Sequence, residues 1–201
     1  MIYEADLPFY NPNFQKMVYN EGSGLYHLYV NELYKSCDYI GFCQYDMKFF
    51  ENTISNIQNI IESSSIDCIF NIGYFPDIIN NTFLGGHSII VKNINQCECA
   101  INSYNNFFNN NYTSNNVIQN SLIHCNTFVI PSKMFERMMS WMKQYFIDDL
   151  ILNKQNSKLD NPGCLIEGLV GMFLSLEVFN GSKYYPLDVK HIWPLYKRMN
   201  Y

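Results

Sequence analysis

Gln44, Tyr45 and Asp46 form the segment of this chain whose residue types and spacing most directly suggest chemistry. They follow an apolar run at 39–43 that is typical of a buried strand. Residues two apart on an extended chain point to the same side, so Gln44 and Asp46 can face one ion together. A carboxylate with a second oxygen donor can hold Mg²⁺ or Mn²⁺ against the phosphates of a substrate. The spacing therefore suggests a divalent-metal site, and the alternative is that Asp46 is a turn or capping residue.

The elements that must position this segment alternate between helical and extended patterns. Apolar periodicity predicts helices at 21–35, 54–61, 132–150 and 164–179, and strands at 39–43, 68–72, 88–91 and 128–130. An asparagine-rich stretch at 105–120 is expected to be a loop or a loosely packed helix. The alternation implies an α/β layered domain with a largely parallel sheet. Ligands bind at the carboxyl ends of strands in such sheets, which is where Asp46 lies.

Composition limits the class of protein. The chain has 201 residues and 48% hydrophobic content, enough for a single domain over 1–201. Net charge is −5 and the 13 Lys and Arg are scattered, so nucleic-acid binding is not expected. The first residues lack a signal-peptide pattern, and no run of 18 apolar residues occurs, so no transmembrane segment is expected. Seven cysteines, an odd number, suggest a reducing, cytoplasmic location.

Two stretches of the chain resemble a known family. Residues 21–31 read EGSGLYHLYVN and residues 38–45 read DYIGFCQY, and looser similarity continues in order at 124–135 and 163–173. Together they resemble the capsular and exopolysaccharide glycosyltransferase-like proteins of bacteria and large viruses. In that family a Glu opens an aromatic-rich helix, and a strand of the form YIGLCHYRRYF follows. The resemblance covers roughly residues 20 to 180.

The chain departs from the family at the metal-binding candidate. Gln44 stands where the family commonly has His, and Asp46 stands where it commonly has Arg. Both changes move the segment toward the Asp-x-Asp element of nucleotide-sugar transferases with the GT-A fold. The resemblance therefore implies a GT-A-like layered domain with a mostly parallel central sheet flanked by helices. Only 43 residues precede Gln44, so we expect either that Met1 follows a truncation or that the N-terminal half is abbreviated, with residues 2–5 as the remnant of a first strand.

The function implied by the resemblance is a metal-dependent glycosyltransferase. It would move a sugar from a nucleoside diphosphate donor, expected to be a UDP-sugar, to a glycan or glycoprotein acceptor. The ion would be Mn²⁺ or Mg²⁺, held by Asp46 and by His191 as a late ligand. A divalent ion neutralises the charge that develops on the leaving diphosphate. His191 also has a purely structural interpretation.

Glu167 is the candidate general base. An inverting transfer needs a carboxylate that deprotonates the acceptor hydroxyl. Glu167 stands near the start of the 164–179 helix between Ile166 and Leu169, an apolar setting that raises a carboxyl pKa. The alternative is an acidic residue that merely interacts with the helix dipole.

Further residues are expected to bind the substrates. Glu21 and Gly22, before the aromatic helix, and Tyr26, on it, are the candidates for the donor together with Gln44, although this segment is also an ordinary helix entrance. Tyr26 would provide a stacking face for the base, and its alternative role is core packing. His124 and Asn126 are expected to bind hydroxyls of the acceptor, or else to be satisfied core polar groups.

Two other functions stay open. A degenerate domain of this family would bind a nucleotide sugar or glycan without turnover, and the single carboxylate at Asp46 favours it. A nucleotide-sugar phosphorylase or hydrolase is disfavoured because the sequence has no glycine-rich phosphate loop of the Walker or Rossmann type.

Overall fold

The computed structural model describes residues 3–14, 21–44, 47–72, 94–119, 126–148 and 162–191. Its helices are α1 (Gly22–Val30), α2 (Thr53–Ser63), α3 (Ile94–Phe108), α4 (Ser114–Gln119), α5 (Ser132–Met142) and α6 (Pro162–Phe179). Its strands are β1 (Tyr39–Phe42), β2 (Met47–Phe49), β3 (Cys68–Ile72), β4 (Phe128–Pro131), β5 (Lys183–Leu187) and β6 (Val189–His191). Single 3₁₀ turns occur at Glu4–Asp6 and Leu33–Ser36, and α5 continues through a π-helical turn at Lys143–Ile147.

The main sheet is mixed, with strand order β1-β4-β3-β5. Strand β4 runs antiparallel to both β1 and β3, whereas β3 and β5 are parallel. The prediction of a mostly parallel central sheet is therefore wrong for the described strands. The α/β class itself is confirmed. Periodicity distinguishes strands from helices but carries no information on strand direction. Strands β1 and β3 run in the same direction, and the antiparallel strand β4 lies between them.

Helices cover both faces of this sheet. Along β3, Ile69 packs into the larger cluster formed with α1, α5 and α6, whereas Cys68 and Phe70 pack on the opposite face, where Ile57 of α2 lies. This alternation follows from the two-residue period of a strand. The layered arrangement expected from the sequence is thus present, with the larger part of the core on the side of α6.

The methionine stripe of α5 belongs to that core. Its methionines recur at helical spacing and are all buried: Met134, Met138, Met139 and Met142. Apolar residues at intervals of three and four form one face of a helix, and this face packs toward the sheet and α6.

Four local predictions have different outcomes. Helix α1 ends before residue 35, because Glu32 adopts a left-handed conformation with φ of 56°. Glu4 and Ala5 form part of a 3₁₀ turn, so the proposed remnant of a first strand is wrong there. The asparagine-rich stretch contributes the end of α3 and all of α4. The predicted strand at 88–91 lies outside the described residues.

The strand directions define one edge of the sheet that matters below. Strands β1, β3 and β5 end there, and β4 begins there at Phe128, which pairs with both Phe42 and Asn71. We call it the carboxyl edge. Within the part of the chain that is described, no helix has the length and apolar character needed to cross a bilayer.

Candidate functional site

Thr127 connects the strand ends at the carboxyl edge. The backbone N–H of Gln44, just after β1, donates to Thr127 Oγ1 at 3.0 Å. The side-chain Nδ2 of Asn71, at the end of β3, donates to the Thr127 carbonyl at 3.4 Å. Three strand ends are thereby fixed relative to one another, and polar groups from each are gathered at one place.

Glu167 reaches this edge from α6. The helix is anchored by Ile166 and Leu169, both fully buried, and Glu167 between them is only half-buried. Gln44 Nε2 donates to Glu167 Oε1 at 3.3 Å. The predicted metal-site residue Gln44 and the predicted base Glu167 therefore lie together, although 123 positions separate them in sequence.

The surroundings of Glu167 raise its pKa to about 7, well above the ordinary value of 4.5. Burial is the largest cause, because it penalises the charged form, and the charge of Glu21 adds to it. The hydrogen bond from Gln44 acts in the opposite direction by stabilising the carboxylate. A carboxyl with a pKa near 7 exists in both forms at neutral pH, as a general acid or base requires.

Gly22 allows Glu21 to come close enough to Glu167 to raise its pKa. A Cβ atom at Gly22 would lie 2.5 Å from Ile166 Cδ1, so α1 and α6 approach closely only because residue 22 is glycine. Glu21 directly precedes Gly22, and Glu167 directly follows Ile166, so this close approach also brings the two acids near each other. Glu21, at the N-cap position of α1, is half-buried and makes no capping hydrogen bond through its side chain.

Two amide oxygens at this edge are buried without a hydrogen-bond partner among the described residues. They are Asn71 Oδ1 and Asn126 Oδ1. Asn71 is 0% exposed and Asn126 is 1% exposed. A buried unsatisfied polar atom costs about 1–3 kcal/mol, so such atoms are ordinarily satisfied by a bound water, an ion or a ligand group.

Gly22 and Tyr26 have clear packing roles. Gly22 contacts Ile166, as described above, and Tyr26 stacks on Phe14 with ring centroids 4.6 Å apart. One face of the Tyr26 ring is thus covered by another side chain, which leaves less of it for a nucleotide base. Their predicted part in donor binding remains a prediction.

The predicted metal ligands are only partly described. Asp46 and His124 lie outside the described residues. The backbone of His191 ends β6 opposite Met47 in the antiparallel β2–β6 pair. Asp46 directly precedes Met47 in sequence, and the shared ion of Asp46 and His191 stays a prediction. Within the described ranges, no group of three or more His, Cys, Asp or Glu side chains could hold a metal ion.

A second polar cluster resembles a catalytic triad but has the wrong geometry. His27 Nδ1 lies 2.8 Å from Glu4 Oε2, and the Ser23 hydroxyl donates to the same oxygen at 2.6 Å. His27 Nε2 accepts the backbone N–H of Asn11 at 3.0 Å. In a catalytic triad one ring nitrogen of the histidine contacts the acid and the other faces the serine. Here Nδ1 contacts Glu4, but Nε2 accepts the Asn11 N–H and does not face Ser23. The cluster therefore anchors the N-terminal segment to α1.

Sequence reasoning missed Asn71 and Thr127. Asn71 interrupts an apolar strand with a polar residue, a signal that was visible in the sequence. The role of Thr127 depends on the pairing of β1 with β4 and had no local signal.

Comparison with known proteins places the chain in no group: no family model, no curated protein and no solved structure matches it.

Proposed function

We propose that this protein is a metal-dependent glycosyltransferase that moves a sugar from a UDP-sugar to a glycan or glycoprotein acceptor. The observation that carries the proposal is Glu167, a half-buried carboxyl with a pKa raised to about 7 that is bonded to Gln44 at the carboxyl edge. Perturbed carboxyls at such an edge are typical of acid–base sites.

The chemistry assigned to Glu167 is proton abstraction. As the acceptor hydroxyl oxygen attacks the anomeric carbon, its proton moves to the Glu167 carboxylate. The bond from the anomeric carbon to the diphosphate oxygen breaks, and its electron pair leaves with UDP. The product has the inverted configuration. A Mn²⁺ or Mg²⁺ ion at Asp46 and His191, when bound, would neutralise the charge on the departing diphosphate.

The immediate neighbours of Glu167 would tune this step. Gln44 holds the carboxyl in one orientation through its Nε2 donor. Burial, and with it the charge of Glu21, raises the pKa of Glu167, which makes its carboxylate a stronger base. Both residues, with Gly22 and Tyr26, are also proposed to contact the donor, and His124 and Asn126 to contact the acceptor.

The finer fold assignment belongs to the same proposal. Helices on both faces of the sheet and a polar edge formed by strand ends agree with a GT-A-like layered domain. A cytosolic location is proposed because seven cysteines, an odd number, suggest a reducing compartment.

The alternative is a glycosyltransferase-like domain that binds a nucleotide sugar or glycan without turnover. It is favoured by the single carboxylate in the Gln44 to Asp46 segment, where active transferases of the GT-A type use an Asp-x-Asp pair.

Release of UDP from a panel of UDP-sugars distinguishes these functions. The purified protein is incubated with each donor and with glycan acceptors, in Mn²⁺ and in EDTA. Mn²⁺-dependent UDP release that needs acceptor is expected. Donor binding without release would instead support the binding domain, and neither binding nor release would refute both.

A further inference from the structure

The hydroxyl group of Thr127 is bonded to two residues from a distant part of the chain. Its oxygen accepts the backbone N–H of Gln44 at 3.0 Å. The same hydroxyl donates to the sulfur atom of Met47 at 3.3 Å. Thr127 is fully buried, and its hydroxyl is used both as an acceptor and as a donor. A side chain without a hydroxyl could replace neither bond.

The two partners of Thr127 are also bonded to each other, on either side of positions 45 and 46. The backbone N–H of Met47 donates to the Gln44 carbonyl at 3.0 Å. Thr127 is itself fixed by the main sheet, because the next residue, Phe128, begins β4 and pairs with Phe42 of β1. A β-branched side chain has few χ1 rotamers, so the hydroxyl has a well-defined position relative to the sheet.

Gln44 continues this chain of contacts to the candidate base. Its backbone N–H is held by Thr127, and its side-chain Nε2 donates to Glu167 Oε1 at 3.3 Å. That second bond is slightly longer than the usual range of about 2.7–3.2 Å, so a small displacement of the Gln44 backbone is enough to break it. The two bonds of the Thr127 hydroxyl go to Gln44 and Met47, and an effect of this hydroxyl on Glu167 therefore passes through Gln44.

We propose that Thr127 is a positioning residue of the active site, and that its hydroxyl holds Gln44 where the Gln44 amide can orient the Glu167 carboxyl. The inference rests on the proposed function and adds a residue to its machinery. Thr127 acts at one remove from the base. Positioning of this kind is valuable because a displacement of about 1 Å at a reacting group can lower the rate by up to about 100-fold.

A double-mutant cycle on UDP release tests whether Thr127 acts through Gln44. Thr127→Val replaces the hydroxyl with a methyl group of similar size and should lower kcat/KM by about 10-fold, whereas Thr127→Ser keeps the hydroxyl and should stay within about threefold of wild type. In a Gln44→Leu protein, Thr127→Val should change kcat/KM by less than about twofold further. A role in general stability predicts additive effects instead.

NMR of the ¹⁵N-labelled protein tests the same contacts without turnover. In wild type the Gln44 backbone N–H should exchange with solvent at least about 10-fold more slowly than an unprotected amide. Thr127→Val should lose this protection and shift the Gln44 side-chain amide resonances, and Thr127→Ser should keep both. Should Thr127→Val fail to fold, the wild-type measurement still decides, because an unprotected Gln44 N–H would overturn the inference.

Ser103→Ala is the matched control for the loss of a buried hydroxyl. The Ser103 hydroxyl accepts the Trp141 Nε1–H at 3.1 Å and donates to the Ala100 carbonyl at 2.7 Å, so it too is used in both directions. This variant should lower the melting temperature by a few degrees, as Thr127→Val should. It should leave kcat/KM and the Gln44 resonances unchanged.

The possible results separate this inference from the transferase proposal. Wild-type kcat/KM in Thr127→Val, additive effects in the cycle, unmoved Gln44 resonances, or an equal loss of activity in Ser103→Ala would each overturn the role of Thr127, even if UDP release is observed. Displacement of Gln44 in Thr127→Val, in a protein that releases no UDP from any donor, would support the positioning and count against transfer.

Discussion

Glu167, Glu21 and Gln44 form a unit in which two neighbours act on one carboxyl in opposite directions. Burial and the charge of Glu21 raise the pKa of Glu167, whereas the Gln44 hydrogen bond lowers it. Because Gln44 comes from the β1 end, Glu21 from α1 and Glu167 from α6, the pKa of Glu167 reports on the assembly of all three elements.

Replacing the two neighbours should move the pH dependence of activity in opposite directions. A general base works only when deprotonated, so kcat/KM should rise with pH through the Glu167 pKa of about 7. Glu21→Gln removes a repelling charge and should shift that midpoint to lower pH. Gln44→Leu removes a hydrogen bond to the carboxylate and should shift it to higher pH. Profiles of kcat/KM for the three proteins check this order, and coincident midpoints would contradict it.

Glu167 should also make the protein less stable at and above neutral pH than at pH 4. An acid whose pKa rises on folding from 4.5 to about 7 adds no penalty below about pH 4.5, and stability is lost as the pH rises toward 7. At about 1.4 kcal/mol per pKa unit, the loss is at most ~3.5 kcal/mol. Glu167→Gln should therefore melt higher than wild type at pH 8 and similarly at pH 4. Thermal melts at both pH values measure it, and a lower melting temperature at pH 8 would refute the assignment.

At the scale of elements, the contact between α1 and α6 depends on Gly22. In Gly22→Ala the new Cβ would overlap Ile166 Cδ1, and crowding of this kind in a packed core costs about 1–3 kcal/mol. The double variant with Ile166→Val lacks that Cδ1 atom and should recover part of the loss. Urea unfolding of the two single variants and the double variant gives the coupling energy. Strictly additive effects would show that the two residues do not compete for space.

Asp46 and His191 are the proposed ligands of one divalent ion. The backbone of His191 pairs with Met47, which follows Asp46 in sequence. Asp46→Ala and His191→Ala should each weaken Mn²⁺-dependent UDP binding in calorimetry. In wild type this affinity should also fall below about pH 6.5, because a ligating imidazole must be deprotonated. Unchanged affinity in both variants would exclude the site.

Patterns within one element were readable from the sequence, and relations between elements were not. The apolar periodicities that include Ile57 and Met138 predict the buried faces of α2 and α5, because each pattern repeats within a single helix. The reversed direction of β4 depends on pairing between distant segments and left no periodic signal. The apolar neighbours of Glu167 predict its raised pKa from the sequence alone. The unsatisfied oxygen of Asn71 becomes visible only when its surroundings are known.

At the scale of the whole molecule, the layers bring residues from across the chain to the carboxyl edge. Residues 21, 44, 71, 127 and 167 come from five separate segments, and each is fixed by a buried neighbour or a hydrogen bond. Such positioning by a rigid scaffold is what a transfer between two bound substrates requires.

The most direct test of Glu167 as the general base compares UDP release by wild type and Glu167→Gln, with donor and acceptor saturating and Mn²⁺ present. Glu136→Gln is the control, because Glu136 is also a half-buried helical carboxyl, and a glutamine oxygen can still accept its 2.9 Å bond from Tyr34. Glu167→Gln should lower kcat by about 100-fold with donor affinity unchanged, and Glu136→Gln should stay within about twofold of wild type. A Glu167→Gln protein that turns over at the wild-type rate would contradict the assignment.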